Sequence, residues 1–334
     1  MTEKHAFITR LMLDLHRFAR APVFVLTLAF ASGFLVGSAK ADNATVKSTS
    51  ARGMISGQSV LTASKADKPT GESRFTKLDG ARVHYVNYGK GSEAFMLIHG
   101  WTCNHDFWRD QVTDFAKRSR VIAIDLPGHG KSDKPQITYS MELFARAVDA
   151  VLRDAKVNRA VLVGHSMGTP IARQFYRKYP AKTLAIVVAD GPLLPFGDKA
   201  MMEGMIAGFR GPSYKEAVTK MFDSMFGPLM SAETRDGIKA SSLSTPQHVM
   251  VSAMEGMADP AIWGKDQVNV PVLAIMAKNE FFGPPNLDEL YRVVAPKMEF
   301  QWWDGVGHFI MMEKPKEFNE AVLAFLDKNK LLMK

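Results

Sequence analysis

The segment Gly164-His165-Ser166-Met167-Gly168 sets a serine between two glycines. It follows the short apolar run 160–163 and opens a stretch in which Ile171, Phe175 and Tyr179 have helical spacing. A strand that turns so tightly into a helix leaves no room for side chains at 164 and 168. It holds the residue between them in a strained conformation, with its hydroxyl above the sheet. The N-terminus of the next helix adds positive dipole where an oxyanion would form. The bland alternative, a plain glycine–serine turn, needs neither flank. A serine hydroxyl is a weak nucleophile and requires a positioned base. His308, in Gly305-Val306-Gly307-His308-Phe309, follows a strand-like stretch and precedes the last helical one, so its loop can fold back towards Ser166. The competing role for His308 is a loop histidine bonded to solvent or backbone.

Stabilising an oxyanion takes two backbone N–H groups. Met167, the residue after the nucleophile, supplies one, and the loop after 95–98 supplies the other, with Trp101 as the candidate. The remaining histidines have no such context. His165 is the variable residue of the turn, suited to packing or to supporting hydrogen bonds. His99 and His129 sit in glycine-bounded turns, and His84, His105 and His248 have no partner motif. No pair has convincing metal-ligand spacing, so neither a metal nor a cofactor is expected.

These residues need a scaffold. Strand-like runs occur at 82–88, 95–98, 120–124, 160–163, 184–189, 272–277 and 298–303, with amphipathic helical stretches at 139–155, 287–294 and after Pro315. Short apolar strands alternating with helices predict an α/β architecture, a mostly parallel sheet covered on both faces. Residues 192–263 interrupt the alternation with helical, methionine-rich segments and no convincing strand, as a cap inserted over the sheet would.

The chain of 334 residues is 46% hydrophobic, enough for one sizeable core. Its net charge of +8 is spread among acidic residues, as at Lys314, Lys316 and Glu317, which gives no support to nucleic-acid binding. A single cysteine, Cys103, excludes an internal disulfide framework. At the N-terminus, His16, Arg17 and Arg20 precede an apolar run from Ala21 to Gly37, followed by small residues at Ala39 and Ala41. That is a signal-peptide pattern over 1–41, with cleavage after Ala41. An uncleaved anchor is the alternative, and it would be the chain's one membrane contact. Both readings export the body to the periplasm or beyond. Residues 42–73, rich in Ser, Thr, Ala, Lys and Gly, read as a flexible linker to a domain at 74–334.

From about Phe75 to Leu326 the chain resembles an α/β-hydrolase with a helical cap. Four stretches carry the resemblance: Leu97-Ile98-His99-Gly100-Trp101, Asp125-Leu126-Pro127-Gly128-His129-Gly130-Lys131-Ser132, the Gly164–Gly168 elbow, and Gly307-His308 with Glu313-Lys314-Pro315. The resemblance implies a catalytic acid just after the 272–277 strand, where Glu280 stands in place of the more common aspartate. Asp190, after the 184–189 strand, is the alternative acid, a site other members use; it would otherwise merely open the Gly191-Pro192 turn. A serine rather than an aspartate at the elbow argues against the alkyl-enzyme chemistry of related dehalogenases and epoxide hydrolases. The expected activity is hydrolysis of a carboxylic ester or lactone of a small, largely apolar substrate through an acyl-enzyme. Carbon–carbon bond hydrolysis and cofactor-free haloperoxidase or perhydrolase chemistry are the alternatives on this fold, and a non-catalytic ligand-binding protein is a third. The cap methionines and Phe209, Phe222 and Phe226 form either an adaptable apolar pocket or the cap's own core.

Overall fold

The computed structural model describes residues 69–278 and 286–333. The signal or anchor segment expected at 1–41, nearly all of the expected linker, and Glu280 lie outside those residues. Among the described residues no helix is long and apolar enough to cross a membrane.

Eight strands form one sheet: β1 (Glu72–Leu78), β2 (Ala81–Tyr88), β3 (Glu93–Ile98), β4 (Arg120–Ile124), β5 (Arg159–His165), β6 (Thr183–Ala189), β7 (Val272–Ala277) and β8 (Met298–Trp303). Their order across the sheet is β1-β2-β4-β3-β5-β6-β7-β8. The first two pairings, β1 with β2 and β2 with β4, are antiparallel, and the remaining five are parallel. β1 begins at Glu72, inside the expected linker, and has no counterpart in the sequence reading. Its Phe75 is 44% exposed, so β1 joins the sheet through backbone pairing at an edge rather than through a buried face.

In the central strands, Phe95 to Ile98, Val161 to Val163 and Val187 to Ala189 are fully buried. Successive side chains of a strand point to opposite faces, so complete burial means that both faces are covered. Helices α1 (Val112–Arg118), α2 (Met141–Asp154), α3 (Gly168–Lys178), α8 (Leu287–Val294), α9 (Ile310–Glu313) and α10 (Pro315–Lys328) supply that cover. α2 starts at Ser140, whose hydroxyl accepts from Leu143 N and closes one orphan donor of the first turn. α2 packs on α3, and α1 packs on α10. The cap holds α4 (Lys199–Arg210), α5 (Tyr214–Met225), α6 (Ala232–Leu243) and α7 (Gln247–Ala258), inserted between β6 and β7.

Parallel registers align the strand ends on one edge. Ile98 pairs with Gly164, Gly164 with Val188, and His165 with Ala189. Residues following β3, β5, β6 and β8 are thereby delivered to a common crevice at the carboxyl ends of the strands, where open α/β sheets bind ligands. The β5-to-α3 turn depends on absent side chains. A Cβ at Gly164 would lie 2.5 Å from Gly168 O, and one at Gly168 would lie 2.2 Å from Ile98 O, backbone atoms that cannot yield cheaply. Gly164→Ala is expected to destabilise the fold by about 2 kcal/mol or more; the midpoint of urea unfolding reads this directly, and an unchanged midpoint would show that the turn has slack.

Candidate active site

Ser166 stands at the crest of the turn with φ +52°, in the left-handed region that costs a residue with a Cβ energy. Its backbone N–H is tied to Ala189 O at 3.2 Å, and Thr169 N donates to Ser166 O at 2.9 Å, so the strained residue is anchored on both sides. Gly100 presses close: a Cβ there would meet Ser166 Cβ and His165 Nδ1 at 3.0 Å.

His308 opens onto the same cavity as Ser166. Among the described residues, three hydrogen bonds hold it. Its Nδ1 meets Asp190 Oδ2 at 2.6 Å, its main-chain N donates to Met225 O at 2.8 Å, and its carbonyl accepts from His165 Nε2 at 3.0 Å. Asp190 is itself constrained. Its backbone has φ +45°, its N–H donates to Ile275 O at 2.9 Å, and its Oδ1 accepts from Ala277 N at 2.8 Å. The carboxylate is therefore held by the end of β7 and buried to 2% exposure. Of the two acids anticipated, Asp190 is brought to the imidazole; Glu280 falls outside the described residues. The sequence signal for Asp190 was its place directly after a fully apolar strand, ahead of Gly191.

Met167, the N-cap residue of α3, directly follows Ser166, and Trp101, in the loop after β3, lines the same cavity as the serine. Among the described residues neither backbone N–H is taken by a protein acceptor, as a pair of free oxyanion donors requires. Trp101 is steered by its side chain: the indole N–H donates to Met250 O at 2.8 Å and the ring stacks on Phe209 at 4.8 Å. The cap thus grips the residue that would hold the oxyanion.

The cavity has a volume of about 380 Å³. Seven methionines reach it: Met201, Met205, Met221, Met225, Met254 and Met257 from the cap, and Met276 from β7. Met202, Met230 and Met250 are buried within the cap instead, so both expectations for the methionines hold, for different residues. Phe222 lines the cavity, whereas Phe209 and Phe226 pack behind it. No lysine or arginine lines it among the described residues. Cys103 also borders it, but burial pushes the thiol pKa up and keeps it protonated.

Elsewhere, His84, His105 and Asp125 bring three potential metal ligands together. Asp125 accepts from His84 Nδ1 at 2.7 Å, His105 Nδ1 at 2.9 Å, His105 N at 2.7 Å and Lys131 N at 2.9 Å. Burial opposes its ionised form, but the bonds from His105 and His84 outweigh that and hold the carboxyl well below its usual range. With its acceptor sites filled by donors, the group braces the turn after β4 as it stands.

The chain belongs to the alpha/beta hydrolase fold family, whose sequence model matches residues 93–315. It is a hydrolase of that family. A 2-hydroxy-6-oxononadienedioate/2-hydroxy-6-oxononatrienedioate hydrolase of Paraburkholderia phymatum is 30% identical over 268 residues, covering 73% of this chain and 91% of that protein. Among solved structures, Est816, described as an N-acyl homoserine lactone degrading enzyme, is 28% identical with a TM-score of 0.65, covering 75% of this chain and all of that one. An esterase from Exiguobacterium antarcticum has a TM-score of 0.70 at 17% identity over 77% of this chain and all of its own, a likeness of fold.

Three buried histidines make an acid-stability prediction. Burial lowers His99 to about 4; burial and then the neighbouring His99 lower His129 to about 3; burial and then His308 lower His165 well below its ordinary value. Each is neutral in the fold, while the unfolded chain takes up protons below about 6.5, so stability is full above that pH and lost as pH falls towards 4. Urea unfolding between pH 7 and 4.5 should show uptake of about two to three protons, with His99 alone costing on the order of 3 kcal/mol. Constant stability across that range would mean that these imidazoles charge within the fold.

Proposed function

We propose that this protein is a serine esterase or lactonase acting on small, uncharged, largely apolar acyl substrates. The observation that carries the reading is a cavity walled by methionine and aromatic side chains, with Ser166 and His308 on its surface and no cationic residue among its described lining. The named substrates of the Paraburkholderia phymatum relative are dioates, and binding a second carboxylate in an apolar cavity would need a paired cation or several donors. That favours the ester reading over carbon–carbon cleavage of a diacid. The likeness to Est816, at 28% identity, supports including lactones.

In this mechanism Ser166 Oγ attacks the acyl carbonyl while His308 Nε2 takes its proton. The carbonyl oxygen, now anionic, accepts from the Trp101 and Met167 N–H groups, aided by the dipole of α3. Collapse expels the alcohol, which receives the proton from His308. Water, deprotonated by the same imidazole, then attacks the acyl-enzyme and releases the acid and free Ser166. Asp190, bonded to Nδ1, fixes the tautomer in which Nε2 is the proton acceptor, and it offsets the charge that forms on the ring.

The basic-flanked apolar run ahead of Ala41 supports export of this hydrolase. N-terminal sequencing of the natively produced protein tests it: a start at Asp42 means a cleaved signal, and an intact N-terminus in the membrane fraction means an anchor.

A fluorophosphonate should label Ser166, and Ser166→Ala should abolish both labelling and ester turnover. Asp190→Asn should lower kcat on a p-nitrophenyl ester roughly 10³–10⁴-fold, and Glu280→Gln much less. If Glu280→Gln falls as far as Asp190→Asn, the acid has been misassigned. If the unmodified, folded enzyme hydrolyses a diketone but neither an ester nor a lactone, the carbon–carbon hydrolase reading replaces this one.

A further inference from the structure

Glu313 lies at the end of the four-residue helix after the His308 loop, in the sequence Glu313-Lys314-Pro315, and nothing in the proposed chemistry uses it. Its side chain is nearly buried. One oxygen, Oε1, accepts two main-chain N–H groups: Gly307 N at 3.0 Å, from the residue before the base, and Gly227 N at 3.1 Å, from the turn between α5 and α6 of the cap. These two backbones are nearly in contact. A Cβ at Gly307 would lie 2.1 Å from Gly227 N, and a Cβ at Gly227 would lie 2.1 Å from Gly307 N. Immediately beside this junction, His308 N donates to Met225 O, the last residue of α5. Met225 also lines the cavity, and Phe226 packs on Phe309 at 5.7 Å.

We infer that Glu313 is a positioning residue that clasps the cap to the loop of the general base, so that the wall of the acyl cavity and His308 are set in register by one carboxylate. The inference rests on the reading of His308 as that base. The physical argument is one of satisfaction. Two main-chain donors from distant parts of the chain converge where no secondary structure can serve them, and an acceptor-only group meets both through the one oxygen Oε1, which carries two lone pairs. Charge-assisted bonds of this kind are stronger than neutral ones, and a buried donor left unpaired is costly. Removing the carboxylate therefore frees both strands of the junction together. The base loop keeps its bonds to Asp190, His165 and Met225 O but loses the second tie to the cap, so its distance from the cap is held at one point rather than two.

The test compares Glu313→Ala and the cap-side Gly227→Ala with the unmodified full chain and with Glu313→Gln, which retains an oxygen able to accept both N–H groups. Two quantities are measured: kcat and KM per mole of folded protein on p-nitrophenyl butyrate, and the low-field proton resonance of the His308–Asp190 pair. Both disruptive variants should lose roughly a hundredfold in kcat with a smaller change in KM, as a displaced catalytic group does, and their low-field resonance should broaden or vanish. Glu313→Gln should restore most of both. Should Glu313→Ala fail to fold, Glu313→Asp, one methylene shorter, carries the same expectation in lesser degree. Folded Glu313→Ala and Gly227→Ala proteins with unmodified kcat and an unaltered resonance would overturn the inference. So would a Glu313→Gln as impaired as Glu313→Ala. If the unmodified chain turns over no ester, the functional reading fails by itself, and the resonance still decides whether Glu313 holds the base.

Discussion

Everything at this site depends on how closely one backbone can approach another beneath Ser166. Gly168 passes so near the end of β3 that a single methyl group would collide with Ile98 O, and Gly164 has no more room against Gly168 itself. That proximity forces Ser166 into positive φ and aims the start of α3 at the serine's hydroxyl. It also brings the loop carrying Trp101 to the cavity onto which Ser166 opens. The hydrolase site is a product of strand packing before it is a product of side-chain chemistry.

The same logic explains which features were legible in the sequence. Turns that tolerate only glycine leave a local signature, so the elbow and the His308 loop could be read from a few adjacent residues. Fully buried strands such as β5 and β6 announce themselves as apolar runs. β1 gave no such signal: Glu72 to Leu78 buries little, and its place is set by backbone pairing with β2, which any sequence can supply. The cap was legible as a helical interruption, but its division into four helices depends on packing over the cavity.

Asp190 shows a different limit. Both Asp190 and Glu280 follow strands that end at the crevice, and both had the chemistry. What brings Asp190 to His308 is the register between β6 and β7, which seats the end of β7 against Asp190 Oδ1 and leaves Oδ2 for the imidazole. The partners are 118 residues apart, and no local pattern records such a distance. The bond from Glu313 to the cap spans 86 residues and was invisible for the same reason, although its glutamate stood within a motif recognised at the outset.

His165, the variable member of the elbow, donates its Nε2 proton to His308 O and is held neutral by burial. A site nominally open to many residues is thereby committed to one that is uncharged, planar and able to donate at that reach. Any lineage that exchanges His165 must find another donor for the His308 carbonyl or reshape the loop that presents it. His165 and the loop that presents His308 are in this respect a single heritable unit, written in two distant places along the chain.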